Sequence, residues 1–211
     1  YFIHEPTMFD ADPISQVTKG SGEVEDIHKL ALHIESQYNI DPERRYITGL
    51  SAGGGMTEAS AIVYNDYWAA AAPVAGLAYR DKSDAIMSES FQTVQYHHDK
   101  IVDELGTYTD QRMIPVMTVH SLNDGTAPKQ GSELIRDSHL LYWTGSYQGV
   151  QPDSTSDCSA EGISCTRSTY LHEGNVILET VFYDGEFDVG ERCGSGLVPT
   201  KNCGHYWAGD D

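Results

Sequence analysis

The 211-residue sequence has no long apolar run and few basic residues. No stretch approaches the ~18 consecutive apolar residues of a membrane-spanning helix, so we expect no membrane span. Lysine and arginine together number 13 against 32 acidic residues, and the net charge of -19 would repel a nucleic acid. We therefore expect no nucleic-acid partner. The acidity is typical of a solvated surface, with the steering of a cationic substrate as the alternative.

Cysteine is also scarce: the four cysteines, Cys158, Cys165, Cys193 and Cys203, all lie in the last third. They form no C-x-x-C pair, which argues against a zinc site. Their close spacings suit two short disulfide-closed loops, Cys158–Cys165 and Cys193–Cys203, although four cysteines allow three connectivities. Disulfides imply an oxidising compartment, so we expect a secreted protein, extracellular or periplasmic.

Strand-like and helix-like segments alternate along the chain, and its length suits a single domain over residues 1–211. The predicted strands read YFIHEP, RRYITGL, AAAAPVAG, MIPVMTVH and NVILETVFYDG, and the predicted helices SGEVEDIHKLALHIESQYNI, GGMTEASAIVYNDYW and KQGSELIRDSHLLYW. Residues 80–112 and 144–174 are polar and are predicted as rim insertions, the first as helical excursions and the second as an insertion or loop. This order predicts an α/β fold with a mainly parallel sheet and helices on both faces, whose ligands bind beyond the carboxyl ends of the strands.

One such end carries the motif G-x-S-x-G, from Gly49 to Gly53. Between a strand and a helix, this pattern predicts a sharp turn that exposes a serine nucleophile, Ser51, with glycines where the two elements approach closely. The backbone N–H of Ala52 would then lie at the helix N-terminus, where it can bind an oxyanion. The alternative is a structural glycine loop.

A serine nucleophile needs a base and an orienting acid, which on such folds follow in the order serine, acid, histidine. Asp124 lies in the turn after the strand that ends at His120, which favours it as the acid; the alternative is that it caps a turn before Pro128. Of nine histidines, only His205 lies beyond the last predicted strand, which favours it as the base. The competing acids are Asp103, Asp110, Asp184 and Asp188.

Together these segments resemble the polyhydroxybutyrate depolymerase and related esterase family, which includes feruloyl and acetylxylan esterases. DPERRYITGLSAGGGMT followed by AAAAPVAGLAYR resembles its nucleophile segment. IPVMTVHSLNDGTAP resembles its acid-bearing turn, usually H-G-x-x-D-x-x-V-P, and CGHYWAG its histidine loop, G-G-H-x-W-P-G. The resemblance implies an α/β-hydrolase fold without a cofactor, with Ser51 as nucleophile, Asp124 as acid and His205 as base.

The sequence departs from the family pattern at three points. Ser121 stands where the family prefers glycine, and the route from the last strand to His205 is long. Family members also have further strands and an H-G-type loop before the nucleophile, which donates a second oxyanion N–H. Because this chain starts at Tyr1 and has no such loop, we expect a processed or incomplete chain, completed by an N-terminal segment or by a second chain.

The combined interpretation is a secreted serine carboxylic-ester hydrolase that forms an acyl-enzyme with a polymeric or small ester. Trp143 and Trp207 could present flat aromatic surfaces to the substrate, with packing as the alternative. Two other functions stay open. One is an acyltransferase or peptidase with the same triad, and the other is an inactive binding or structural protein of the same fold.

Overall fold

The computed structural model describes residues 17–81, 85, 90–106, 113–160, 163–184 and 205. Three predictions lie outside these residues: the strand at 1–6, the Cys193–Cys203 bridge and the position of Trp207. Among the helices in the described ranges, none combines the length and the apolar character needed to cross a membrane.

Helices and strands alternate through the first two thirds of the described chain, as the sequence predicts. The helices are α1 (Gly22–Glu35), α2 (Ala52–Val63), α3 (Val94–Gly106) and α4 (Gln130–Thr144), with a short 3-10 turn at Pro42–Arg44. The strands are β1 (Tyr46–Leu50), β2 (Ala70–Val74), β3 (Val116–Ser121), β4 (Ser154–Asp157), β5 (Ser164–His172) and β6 (Asn175–Asp184).

The strands form one sheet in the order β1-β2-β3-β6-β5-β4. β1, β2, β3 and β6 run parallel to one another, whereas β5 and β4 extend the sheet antiparallel. The predicted mainly parallel α/β sheet is therefore confirmed. The parallel strands bring the residues that follow β1, β3 and β6 to the same edge of the sheet.

The prediction of a loop at 144–174 is wrong, because β4 and β5 both lie there. β4 is the edge strand and is exposed throughout, while β5, between β4 and β6, has Tyr170 as its one buried residue, so neither shows the apolar alternation that marks a half-buried strand. The missed signal is the turn at Glu173 and Gly174, whose φ values of 51° and 82° are those of a tight hairpin between β5 and β6.

Residues 80–112 do contain the expected helix, α3, but this helix contributes to the core. Its buried residues, His97, Ile101 and Leu105, lie one helical turn apart on a single face. α3 packs against α4 and α2, α2 against β1 and β2, and α4 against β3 and β6. The helices therefore form one layer around a shared apolar cluster.

The two faces of the parallel sheet differ in what covers them. One lateral row of residues belongs to or packs against the helix-side cluster: Ile47, Ala71, Val116 and Leu178. Three residues further along each strand, a second lateral row faces the other side of the sheet. This row belongs to a smaller apolar cluster: Leu50, Val74, Val119 and Val181. In the described ranges no helix is part of this second cluster, so helices on both faces of the sheet stay a prediction.

Candidate active site

Ser51 lies in a strained backbone conformation at the junction of β1 and α2. Its φ of 60° and ψ of -120° are unusual for a residue with a side chain and cost about 1–3 kcal/mol. The Ser51 N–H donates to the carbonyl of Val74 (2.9 Å), and the Ser51 carbonyl accepts from the Gly55 N–H (3.1 Å). The sharp strand-to-helix turn that the motif predicts is therefore present, and it ends at the carboxyl edge of the sheet.

Of the two glycines in the motif, only the first is required by close packing at this turn. A Cβ on Gly49 would approach the carbonyl carbon of Gly53 to 2.5 Å, so no larger residue fits there. A Cβ on Gly53 would meet nothing within 4 Å, so the expected crowding at this position is wrong. Crowding falls instead on Gly54, where a Cβ would lie 2.5 Å from the Val74 carbonyl oxygen and 2.9 Å from the Cα of Gly76.

Ala52 is the first residue of α2. The N–H groups in the first turn of a helix have no acceptor within that helix, and the helix dipole places partial positive charge there. Ala52 is thus positioned as predicted for an oxyanion donor beside Ser51. Its role in binding an oxyanion stays a prediction.

Asp124 is held in the turn after β3 by several hydrogen bonds. Its backbone N–H donates to the Ser121 carbonyl (3.2 Å), and its Oδ1 accepts from the N–H groups of Thr126 and Ala127, both at 2.8 Å. Burial alone would raise the pKa of Asp124, but the hydrogen bonds from His205, Ala127 and Thr126 outweigh burial, and its pKa is lowered. Asp124 is therefore a carboxylate at neutral pH, and it also caps its own turn.

His205 lies against the other carboxylate oxygen. Its Nδ1 is 2.7 Å from Asp124 Oδ2, and the Asp124 and His205 side chains are 1% and 16% exposed. Since a carboxylate only accepts, Nδ1 carries the proton and Nε2 is left for other partners. The structure thus brings together the predicted acid and the predicted base. Among the described residues no hydrogen bond joins Ser51 to His205, so the third link of the triad stays a prediction.

The competing acids that the structure describes have partners other than His205. The Asp184 carboxylate accepts from the Asn123 amide (2.8 Å), and Asp103 lies beside Lys100 on α3 (3.4 Å). Asp110 and Asp188 lie outside the described residues. The Asn123–Asp184 bond, together with the Leu122 N–H to Tyr183 carbonyl bond at 2.7 Å, attaches the acid-bearing turn to the end of β6.

Two residues near Asp124 were not predicted. His120, at the end of β3, is fully buried, and its Nε2 lies 3.6 Å from Asp124 Oδ2. Tyr183 is also buried, and burial together with the nearby Asp124 charge raises its pKa to about 12. The available signal for His120 was its place at the strand end, four residues before the acid.

Trp143 lies far from Ser51. Its indole contacts the His172 ring (centroids 5.4 Å apart), and His172 pairs with Asn175 at the start of β6. Because β6 is parallel to β1, its start is at the opposite edge of the sheet from Ser51. This location favours the packing alternative for Trp143.

The predicted Cys158–Cys165 disulfide is present and joins the ends of β4 and β5. Cys165 pairs with Tyr183, so the bridge lies at the carboxyl edge, on the side of the sheet that supports the acid-bearing turn. Within the described ranges, no cluster of three or more histidine, cysteine, aspartate or glutamate side chains is arranged to hold a metal ion.

A strained serine between strand and helix, an acid after a later parallel strand and a histidine bonded to that acid are the arrangement of the α/β-hydrolase fold. The chain belongs to the prolyl oligopeptidase family, which it matches over residues 14–138. That range includes Ser51 and Asp124, but not His205.

The chain is also similar to a depolymerase in sequence and to an esterase in structure. Poly(3-hydroxyalkanoate) depolymerase C of Paucimonas lemoignei is 44% identical over 64 residues, which are 30% of this chain and 16% of that protein. The acetyl xylan esterase from Aspergillus awamori superposes with a TM-score of 0.63 at 19% identity, over 81% of this chain and 64% of that one. At that identity the structural likeness shows the fold alone. The chain spans less than two thirds of the length of either protein. The predicted family resemblance and the predicted fold are confirmed.

Proposed function

We propose that this chain carries the catalytic residues of a serine carboxylic-ester hydrolase. The observation that carries the proposal is the 2.7 Å hydrogen bond between Asp124 and His205, at the same sheet edge as the strained Ser51. This bond orients the imidazole so that its unprotonated Nε2 can act as a base, which is the function of the acid in a serine triad.

In the proposed mechanism, Ser51 Oγ attacks the ester carbonyl carbon while His205 Nε2 takes the hydroxyl proton. Asp124 stabilises the imidazolium, and the Ala52 N–H donates to the oxyanion. The tetrahedral intermediate expels the alcohol, which receives the proton from His205. Water then attacks the acyl-enzyme, again with His205 as base, and releases the acid and Ser51.

Esters are favoured as substrates because of the depolymerase relative and of the sequence motifs shared with esterases. The Cys158–Cys165 disulfide supports the further proposal that the protein is secreted, since disulfides persist in oxidising compartments. Whether the ester is a polymer or a small molecule depends on the rim of the site.

The direct test is hydrolysis of p-nitrophenyl butyrate by wild-type protein and by Ser51→Ala. We expect the variant to lose activity and labelling by a fluorophosphonate probe. Ser60→Ala is the matched control, because Ser60 is a fully buried serine of α2 whose hydroxyl has no hydrogen-bond partner among the residues that the structure describes. Full activity in Ser51→Ala would overturn the proposal. A wild-type protein that neither hydrolyses the ester nor reacts with the probe would support an inactive protein of the same fold.

A peptidase is the second candidate, because the family match itself favours it. Esters and amides can be compared directly with p-nitrophenyl butyrate and a peptidyl p-nitroanilide. An ester hydrolase should show a higher kcat/KM for the ester than for the amide, beyond the difference in their intrinsic reactivity with hydroxide. If the anilide is instead cleaved more efficiently after that correction, the protein is a peptidase.

A further inference from the structure

The fully buried His120 is tied to two elements that flank the acid-bearing turn. Its Nε2 lies 2.9 Å from the Ala127 carbonyl oxygen, and its Nδ1 lies 2.8 Å from Ser132 Oγ in the first turn of α4. A carbonyl can only accept, so Nε2 carries the proton and Nδ1 accepts from the Ser132 hydroxyl. These two bonds specify one neutral tautomer.

Ala127 connects His120 to Asp124. Its backbone carbonyl accepts from His120, while its backbone N–H donates to Asp124 Oδ1 at 2.8 Å. Asp124 Oδ2 in turn accepts from His205 Nδ1 at 2.7 Å. A continuous hydrogen-bonded chain therefore runs from α4 through His120, Ala127 and Asp124 to the imidazole of His205.

We propose that His120 is a positioning residue, which orients the Asp124 carboxylate toward His205 by fixing the backbone of Ala127. The proposal deepens the proposed function and rests on it, since Asp124 and His205 are taken as the catalytic acid and base. His120 itself is buried beneath the turn and is not proposed to touch the substrate.

His120 must be neutral to position Asp124 in this way. Its Nε2 is only 3.6 Å from Asp124 Oδ2, so a charged imidazolium would compete with His205 for that oxygen. Burial lowers the pKa of His120, and the charge of His205 acts in the same direction; the Ala127 hydrogen bond and the charges of Asp124 and Glu133 oppose them without reversing the shift. The buried imidazole therefore positions the turn without competing for Asp124.

The test compares four variants of the full-length protein in ester hydrolysis. His120→Leu removes both hydrogen bonds, His120→Gln keeps an N–H donor for Ala127, and Ser132→Ala removes only the donor to Nδ1. Ser138→Ala is the matched control, since Ser138 is also a fully buried serine of α4 but donates to the Ile135 carbonyl. We expect kcat to fall about 10- to 100-fold in His120→Leu with KM little changed, because a displacement of the acid by about 1 Å misaligns the base. His120→Gln should restore most of kcat, Ser132→Ala should give a smaller loss, and Ser138→Ala should match the wild type.

A second readout does not depend on activity. The His205 Nδ1 proton, bonded to Asp124, should give a downfield proton NMR signal that Asp124→Asn abolishes. This signal should weaken or shift in His120→Leu and return in His120→Gln. Unchanged kcat, or an unchanged signal, in folded His120→Leu would overturn the proposal. If His120→Leu does not fold, Ser132→Ala decides: a lower kcat and a shifted signal support the proposal, and wild-type values for both overturn it. A wild-type protein without esterase activity would overturn the proposed function, while the NMR signal would still test how His120 orients Asp124 and His205.

Discussion

The two carboxylate oxygens of Asp124 have different partners, so one oxygen can hold the turn while the other orients His205. Oδ1 caps the turn, and Oδ2 binds the imidazole. Asp124→Asn should lower kcat by about 10³- to 10⁴-fold, because an amide N–H facing His205 favours the wrong tautomer. Asp184→Asn is the control at another aspartate of this edge, and it should keep most of the activity because the new amide oxygen can still accept from Asn123. Steady-state kinetics of both variants on one ester make the comparison. Equal losses would show that Asp124 is not the triad acid.

The same carboxylate should make stability depend on pH. The folded-state pKa of Asp124 is lowered from the ~3.9 of an unfolded aspartate, so the folded protein binds this proton less readily than the unfolded chain. Its contribution is therefore present above about pH 4 and is lost as pH falls through the folded-state pKa. Urea unfolding of wild type and Asp124→Asn from pH 6 down to pH 2.5 tests this. The difference in unfolding free energy should shrink toward the acid end, and a difference that grows there would contradict the assignment.

At the scale of elements, the close approach of α2 to β2 distinguishes two adjacent glycines. Gly54→Ala should destabilise the protein by about 1–3 kcal/mol or more, since its Cβ would lie 2.5 Å from the Val74 carbonyl oxygen and backbone cannot easily move. Gly53→Ala should be neutral or stabilising by about 0.5–1 kcal/mol, because space is open there and alanine favours a helix. Chemical denaturation measures both free energies. Similar destabilisation by the two substitutions would contradict the packing described here.

The elements that could be predicted from sequence are those with a strong local pattern. β1, Ser51 and α2 follow one another within a motif whose geometry is local, so the strained turn was predictable. β5 was not, because its mainly polar sequence carries no apolar alternation and its place in the sheet depends on pairing with β6. α1 was predictable as a helix, but its sequence does not tell which apolar residues are buried, since Val24 is buried whereas Ile34 is 43% exposed.

The candidate site shows the same division between local and long-range information. Asp124 and His205 were predictable from chain order and the position of strand ends. His120, Ala127 and Ser132 were not, because their hydrogen bonds join a strand, a turn and a helix, and neither residue type nor spacing specifies those partners. Motifs of this kind therefore indicate the reacting groups, and the groups that orient them emerge only with the tertiary structure.

For the whole molecule, the net charge of -19 over 211 residues should make stability depend on salt at low ionic strength. Like charges repel more in the compact state than in the expanded unfolded chain. Raising sodium chloride from about 10 to 150 mM shortens the Debye length from roughly 30 to 8 Å, so this repulsion should weaken and Tm should rise. Calorimetry across that range tests the expectation, with sucrose at equal osmolarity as the uncharged control. A Tm that falls with salt would show that attractive ion pairs, such as Lys19 with Asp66, outweigh the net repulsion. A rise that begins only above about 0.5 M would point instead to exclusion of salt from the protein surface.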